Sequence, residues 1–352
     1  MNSSDIAQLR LVSQQIAGTQ FKTAKNIVGW LGAMQAQDYA MVKWAIGVRL
    51  PNSTVRTIEA AINKGEIIRT HLLRPTWHFA SADDVRWLLA LTAPQIKSSM
   101  TARHKELGLT GAVLAKSFAI MERAMRGGVH LTREELIAEL GKAKIATNGG
   151  RASHLFLCAE AEGIICSGAI KDGKQTYALL EEWVPKAKPM PKEEALAKLA
   201  KRYFAGHGPA TLRDFIWWSG LSVNSAKQAL ESVKRDFLSE TIDSQTYWFS
   251  GGLAIPKTAK ESAYLLPAFD EFVISYKDRC ASLPHENHHK AVSNNGIFRP
   301  IIVVNGHVTG IWKRTIKKDK DLVTTTFFER PDKTTKSLVE KAAAQFSRFI
   351  EN

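Results

Sequence analysis

The sequence is poor in cysteine, which excludes the fold classes that depend on sulfur ligands or cross-links. Its 352 residues contain three cysteines, Cys158, Cys166 and Cys280. An odd number without close spacing matches neither a disulfide framework nor a cysteine-rich zinc site. We therefore predict a fold held together by hydrophobic cores, in which Cys158 and Cys166 pack as buried thiols.

Long apolar runs are also missing from the sequence. No segment approaches the roughly 20 consecutive apolar residues that a membrane-spanning helix needs. The first ten residues show neither the charged region nor the apolar region of a secretory signal. From these absences we expect a soluble, cytoplasmic protein with no membrane partner.

Acidic residues are scarce relative to basic ones. The chain carries 48 Lys and Arg residues against 34 Asp and Glu residues, a formal net charge of +14. Such a surplus favours a polyanionic partner, of which nucleic acid is the commonest, although an anionic membrane surface needs the same sign. The otherwise ordinary content of 45% hydrophobic residues and the chain length predict two to four globular domains.

Three successive stretches show the element order of a winged helix, in which helices precede a strand pair. We assign residues 1–105 to the first, 106–184 to the second and 185–251 to the third. The helical patterns cover 5–17, 23–35 and 54–62 in the first, 111–125, 131–140 and 153–163 in the second, and 193–204, 211–218 and 224–233 in the third. The strand pairs follow at 66–73 with 76–80, at 164–168 with 174–180 around an Asp-Gly turn, and within 237–249.

A linker and a fourth domain complete the organisation. Residues 184–191 carry three prolines and interspersed lysines, a composition typical of an extended linker. Residues 252–352 are β-rich and end in a helix, and this pattern predicts a small barrel or sheet. The overall prediction is an α+β fold with three tandem winged-helix domains, a C-terminal β-barrel-like domain and a terminal helix.

Two glutamines stand out within the first domain. Ile27, Leu31 and Met34 belong to an apolar stripe at helical spacing, and Gln35 and Gln37 border it. On a continuing helix the two amides diverge by about 200°, so joint action requires the helix to end or distort near Gln35. Two interpretations remain: a functional site, or an ordinary helix end with one amide solvated and one capping.

A strand pair shortly afterwards concentrates functional side-chain types. Its candidates for contact with DNA are Arg69, His71, Arg74, Trp77 and His78. One interpretation is a pocket beside the glutamines in which Trp77 stacks on a base. The alternative is a structural wing whose histidines bind backbone carbonyls and whose Trp77 belongs to the core.

Further basic residues occupy predicted recognition helices and wings, and Arg151 precedes the recognition helix of the second domain. Each is a candidate for contact with a DNA phosphate, with a solvated surface base as the alternative. They are Arg56, Arg151, Lys171, Lys174 and Lys227.

Two more clusters carry chemistry-bearing side chains. Asp270 and Glu271 lie at a predicted strand end, where Asp270 either belongs to a site or forms a structural ion pair with Arg279. His285, His288 and His289 resemble a metal cluster, but their spacing does not match the helical His-Glu-x-x-His motif, which favours a polar loop.

Several stretches in the same order resemble the AlkZ-type DNA glycosylases, a winged-helix family that excises N7-alkylated purines and unhooks interstrand crosslinks. They are MQAQDY at 34–39, RTHLLRPTWH at 69–78, GPATLRDFIWWSG at 208–220, LLPAFDE at 265–271 with YKDR at 276–279, and NGHVTGIWKR at 305–314. The resemblance implies a catalytic Gln-x-Gln motif, which falls on Gln35 and Gln37. The related YcaQ-type branch has Gln-x-Asp, so Gln37 places the chain nearer to the AlkZ branch. Arg279 joins the candidates for DNA contact.

The resemblance implies a monofunctional glycosylase that hydrolyses the N-glycosidic bond of alkylated purines in double-stranded DNA. We expect it to act as a monomer without cofactor or metal. Two other classes compete with this hypothesis. One is a non-enzymatic winged-helix DNA-binding protein or regulator, and the other is a hydrolase that uses a metal bound by the histidines at 285–289.

Overall fold

A computed structural model of the chain describes residues 1–256, 259, 261–317 and 320–351. The chain divides into two compact units. The first comprises residues 1–58 and 196–352, and the second comprises residues 59–195. The boundaries between units fall inside two helices, whereas the four predicted domain boundaries stay predictions.

The mixed helix and strand content confirms the α+β class. In the order of the chain, the helices are α1 Ser3–Ser13, α2 Ala24–Leu31, α3 Tyr39–Gly47, α4 Val55–Asn63, α5 Val85–Ser99, α6 Thr101–Glu106, α7 Gly111–Met125, α8 Arg133–Lys142, α9 Arg151–Ala161, α10 Leu180–Trp183, α11 Lys192–His207, α12 Leu212–Ser219, α13 Val223–Val233, α14 Glu271–Ile274, α15 His288–Ala291 and α16 Lys333–Glu351. The strands are β1 Met34–Gln35, β2 Ile67–Leu72, β3 Thr76–Ser81, β4 Leu131–Thr132, β5 Ile165–Ser167, β6 Thr176–Leu179, β7 Leu238–Ile242, β8 Gln245–Phe249, β9 Ala263–Leu266, β10 Ile301–Val304, β11 His307–Lys317 and β12 Lys320–Phe327.

Helix starts follow local capping signals in the sequence. Thr23, Thr132 and Thr211 each accept a hydrogen bond from a backbone N–H of the first turn, which satisfies a donor that the helix itself leaves unpaired. Glu135 completes a capping box at the start of α8. The sequence did not predict α3, α5 or α6, because their apolar positions do not form a clear stripe.

The C-terminal strands of the first unit form an antiparallel sheet in the order β12-β11-β10-β9. Over the residues that the structure describes, β9 and β12 remain its two edges, so the sheet is open and the predicted barrel is wrong. The sheet faces α16, whose buried residues include Phe346 and Phe349. Their rings contact Trp44 of α3, and Phe346 also contacts Trp312 of β11, with ring centroids 4.8–5.2 Å apart.

The second unit contains its own core. Met121, Leu136, Leu140, Leu155 and Phe156 are fully buried where α7, α8 and α9 pack together. Strands β4, β6 and β5 form a three-stranded antiparallel sheet, and β2 pairs with β3 as an antiparallel hairpin. Lys171 and Lys174 bridge the turn of the β5–β6 hairpin, as the Asp-Gly signal predicted.

None of the helices in the described part of the chain combines the length and the apolarity needed to cross a membrane.

Candidate functional site

The two glutamines lie in the connection between α2 and α3 of the first unit. Helix α2 ends at Leu31, four residues before Gln35, because Gly32 adopts a left-handed φ of +79° that favours glycine. Gln35 belongs to the two-residue strand β1, and the Asp38 carboxylate caps α3 by accepting from the Met41 N–H at 3.1 Å. The predicted helix is therefore too long, and the condition that the helix ends before both glutamines is met.

Gln35 and Gln37 differ in exposure. Gln35 is 6% exposed, whereas Gln37 is exposed to solvent. Gln37 is therefore accessible to a ligand from solution, whereas Gln35 is packed inside the unit.

A buried carboxylate holds the backbone of this segment. Glu271, at the start of α14, is 2% exposed, and its Oε1 accepts a hydrogen bond from the Gln35 N–H at 2.6 Å. Its Oε2 accepts from Trp218 Nε1 at 3.1 Å and from the Ser275 hydroxyl, and His207 Nε2 lies 3.6 Å away. Because a carboxylate with several donors is a strong and directional acceptor, Glu271 fixes the position of Gln35.

The electrostatics of Glu271 follow from these contacts. Burial by itself raises the pKa of a carboxyl group, but the His207 ring 3.6 Å away and the hydrogen bonds from Ser275 and the Gln35 N–H outweigh it. Together they lower the pKa of Glu271 to about 2. The site therefore contains a permanent buried anion next to the first glutamine.

This low pKa predicts a pH-dependent contribution to stability. A carboxyl group whose pKa is depressed on folding stabilises the protein above its unfolded pKa, here 4.5, and loses that contribution as the pH falls toward about 2. We expect the free energy of unfolding of the native protein to fall over this window by about 3 kcal/mol more than that of Glu271→Gln. Urea unfolding at a series of pH values measures the difference.

The Ser275→Ala variant is the graded control for this prediction. It keeps the carboxylate but removes one of its donors, so it should show a smaller loss of the same pH-dependent contribution. Parallel pH profiles for the native protein and Glu271→Gln contradict the prediction.

The neighbouring Asp270 belongs to a second buried network. Its two carboxylate oxygens accept from Arg49 Nη1 and Nη2 at 2.8 Å each, and one of them also accepts from the Phe272 N–H. The other donors of Arg49 bind the Gln14 side chain and backbone and the Ala45 carbonyl at 2.8–3.0 Å. All five N–H groups of this fully buried guanidinium are therefore used.

The predicted ion pair between Asp270 and Arg279 is wrong, because Arg49 occupies both oxygens of Asp270. Arg279 instead donates from Nε to the Val273 carbonyl at 3.0 Å. Its guanidinium lies 5.4 Å from the ring centroid of Trp217 and 5.0 Å from that of Phe298.

In the second unit, the β2–β3 hairpin brings several of the other candidates together. His71 and Trp77 are paired across the strands with their rings 4.6 Å apart, and the Arg69 guanidinium lies 4.3 Å from the Trp77 ring centroid. Glu160 of α9, 1% exposed, accepts from the His71 N–H at 2.9 Å and from His71 Nδ1. The ring of Trp77 thus takes part in the packing of the unit itself.

The two remaining hairpin candidates are His78 and Arg74. His78 is 1% exposed, and its Nδ1 lies 2.9 Å from the Thr76 carbonyl oxygen, as in the structural interpretation of the histidines. Arg74 is half-buried in the turn between β2 and β3.

The predicted phosphate contacts fall into two groups. Arg151 donates to the carbonyls of Ala146 and Leu107, and Lys171 forms an ion pair with Glu135 at 3.0 Å, so both are engaged within the second unit. Lys174 and Lys227 have exposed side chains, and the described residues offer no ion-pair partner to either.

Comparison with known proteins gives one decisive match. The family model for DNA glycosylase AlkZ-like proteins matches residues 28–349. The chain belongs to the AlkZ-like DNA glycosylase family. Its structure is similar to that of the DNA glycosylase AlkZ from Streptomyces sahachiroi, with a TM-score of 0.82 and 19% identity over 99% of this chain and 96% of that one. At this identity the likeness shows a shared fold. A search of the curated proteins finds no match.

Sequence reasoning missed several polar residues that support the site of this AlkZ-like chain. Arg49 is a buried hydrogen-bonding partner of Asp270, Gln14 of Arg49, and Glu160 of His71. A detectable signal exists for two of them, because Arg49 and Glu160 each interrupt an apolar stretch, and charged residues are seldom buried without a partner. The partner itself cannot be identified from such a signal.

The histidines at 285–289 form two short helical turns rather than a loop. Within the described ranges, no group of three or more His, Cys, Asp or Glu residues is placed to hold a metal ion. Burial raises the pKa of the Cys158 thiol to about 12, with Glu162 adding to the effect, as expected of a packed thiol.

Proposed function

We propose that this AlkZ-like protein is a monofunctional DNA glycosylase that hydrolyses the N-glycosidic bond of N7-alkylated purines, with Gln35 and Gln37 as its catalytic residues. The observation that carries the proposal is the anchored Gln-x-Gln segment. Gln35 is held through its N–H by the buried Glu271 carboxylate, which leaves Gln37 exposed on a fixed backbone.

The chemistry suits an amide side chain. Alkylation at N7 gives the purine a positive charge, so the base leaves as a neutral molecule and needs no strong general acid. The oxygen of water forms a bond to C1′ as the bond from C1′ to N9 breaks, and the released proton passes to solvent. A glutamine is a poor base but orients a water molecule, and the fixed anion of Glu271 favours the developing positive charge of the sugar.

Binding to DNA rests on the charge surplus and on the repeated helical units. We propose that the three sets of helices and strand pairs are winged helices that act as a monomer on double-stranded DNA, using the exposed Lys174 and Lys227 among their phosphate contacts. Interstrand crosslinks through N7 contain the same weakened glycosidic bond, so we include them among the substrates.

The decisive experiment is a product assay. The protein is incubated with a duplex containing one 7-methylguanine and with the undamaged duplex. We expect mass spectrometry to detect free 7-methylguanine from the first duplex alone, and we expect strand cleavage only after hot alkali. A matched duplex with an N7-linked crosslink tests the wider substrate range.

Two outcomes of this assay contradict different parts of the proposal. Strand breakage without alkali contradicts the monofunctional assignment. Tight binding without release of base contradicts the enzyme and supports a DNA-binding regulator.

A further inference from the structure

The second unit contains a pocket of about 820 Å³ that no step of the proposed reaction uses. Its walls come from the β2–β3 hairpin, the start of α8, the helix α9 and the β5–β6 hairpin. The side chains that matter for its chemistry are Arg69, Trp77, Arg133, Glu134, Glu160 and Lys174. Glu134 and Lys174 are exposed, so solutes reach the pocket from solvent.

Glu160, the buried acidic residue in the pocket wall, already accepts several hydrogen bonds from the protein. Strand β2 donates the backbone N–H groups of Arg69 and His71 to Ser167 Oγ at 2.7 Å and to Glu160 Oε2 at 2.9 Å. Glu160 also binds His71 Nδ1, and Trp77 Nε1 lies 3.5 Å from its other oxygen. The carboxylate therefore serves the packing of the hairpin against α9, and these donors use most of its capacity to accept hydrogen bonds.

Basic side chains outnumber acidic ones in the pocket wall. Arg69, Arg133 and Lys174 carry three positive charges against the two carboxylates of Glu134 and Glu160, of which Glu160 is buried and hydrogen-bonded. A wall with this balance attracts anions, and guanidinium groups match the geometry of phosphate oxygens.

The position of Arg133 is unfavourable for its own helix. It is the first residue of α8, where the partial positive charge of the helix N-terminus disfavours a cation. Its guanidinium lies 4.6 Å from the Phe156 ring centroid and donates from Nη2 to Ser153 Oγ at 3.1 Å. These contacts orient the group and use only part of its five N–H donors.

We propose that this pocket binds a backbone phosphodiester of DNA through Arg133 and Lys174, with Arg69 adding positive charge. The inference rests on the proposed function for the identity of the polyanion. It assigns phosphate binding to Arg133. The pocket then anchors DNA through residues that are distant in sequence from Gln35 and Gln37.

Fluorescence anisotropy of the full-length protein with a labelled undamaged duplex, over a range of salt concentrations, tests the site. We expect Arg133→Ala and Lys174→Ala each to weaken binding about tenfold at low salt. Each should also reduce the slope of log affinity against log salt by about 1, since one phosphate contact is lost. Arg133→Lys should restore part of the affinity and the full slope.

Lys116→Ala is the matched control, because Lys116 is an exposed base on α7 of the same unit that does not line the pocket. We expect its affinity to stay within about twofold of the native value, since the loss of one remote exposed charge is largely screened. Thermal melting of every variant separates a loss of folding from a loss of binding. A purely structural role for Arg133 lowers the melting temperature and leaves the salt slope unchanged.

The outcomes separate the two proposals. Pocket variants that behave like Lys116→Ala overturn the phosphate site, even if the protein releases 7-methylguanine. A protein that shows the expected salt slopes but releases no base retains the phosphate site and refutes the glycosylase.

Discussion

Replacing Gln37 with alanine is expected to lower the single-turnover rate of 7-methylguanine release by about a hundredfold to a thousandfold, the usual loss when one preorganised hydrogen-bonding group is removed from an active site. The side chain is exposed, so its removal leaves no buried polar group behind. The melting temperature should therefore stay at the native value, and the loss should fall on the chemical step rather than on folding.

Three further variants make this prediction specific. Gln20→Ala removes an exposed glutamine between α1 and α2 and should retain full activity. Gln35→Ala should lower both rate and stability, because Gln35 is buried. Gln37→Glu keeps an oxygen acceptor for the water and should retain more activity than Gln37→Ala. Full activity in Gln37→Ala refutes the catalytic assignment.

Replacing Arg49 with alanine is expected to lower the free energy of unfolding by about 3–5 kcal/mol, since it leaves the Asp270 carboxylate buried without its cation. Arg49→Lys should recover little of this loss, because an ammonium group cannot reproduce five hydrogen bonds in a planar arrangement. Activity should fall as well, because Asp270 directly precedes the residue that holds Gln35. Chemical denaturation and the excision assay measure the two effects.

A double-mutant cycle isolates the pair. The double variant Arg49→Met with Asp270→Leu should be less destabilising than Arg49→Met alone or Asp270→Leu alone, because neither charge remains in the core without its partner. The surface pair of Arg103 and Glu106, 2.7 Å apart on α6, provides the control. Loss of that exposed pair should cost less than about 1 kcal/mol. An equal loss in both cases contradicts the buried role of Arg49.

Prediction from sequence succeeded where the signal was local. The Asp-Gly turn and the terminal helix depend on residues within a few positions of one another, and both are present in the structure. The end of α2 was predicted too late, because Gly32 terminates the helix through its own backbone preference while the apolar pattern continues to Met34. A periodic pattern reports which residues are buried and does not require that the helix continues.

The prediction of a β-barrel was wrong for a related reason. Alternating apolar residues identify strands β9 to β12, but the pattern does not indicate whether the two edge strands pair and close the sheet. In this sheet one face is covered by α16, whose Phe346 packs on Trp312, so burial is achieved without closure.

By itself the sequence determined the α+β class, the basic charge that calls for an anionic partner, and the Gln-x-Gln pair as the most specific candidate site. Only the tertiary structure decided what surrounds that pair. Glu271 lies 236 positions from Gln35, and Asp270 lies 221 positions from Arg49, yet each pair is hydrogen-bonded. A buried polar group needs a hydrogen-bonding partner, and any complementary group within reach can fill that role. The packing of the whole unit therefore determines which residue becomes the partner. Instead of bordering a helical stripe, Gln35 thus lies in a short strand whose backbone is held by a buried anion, and Gln37 lies in the bend that follows it.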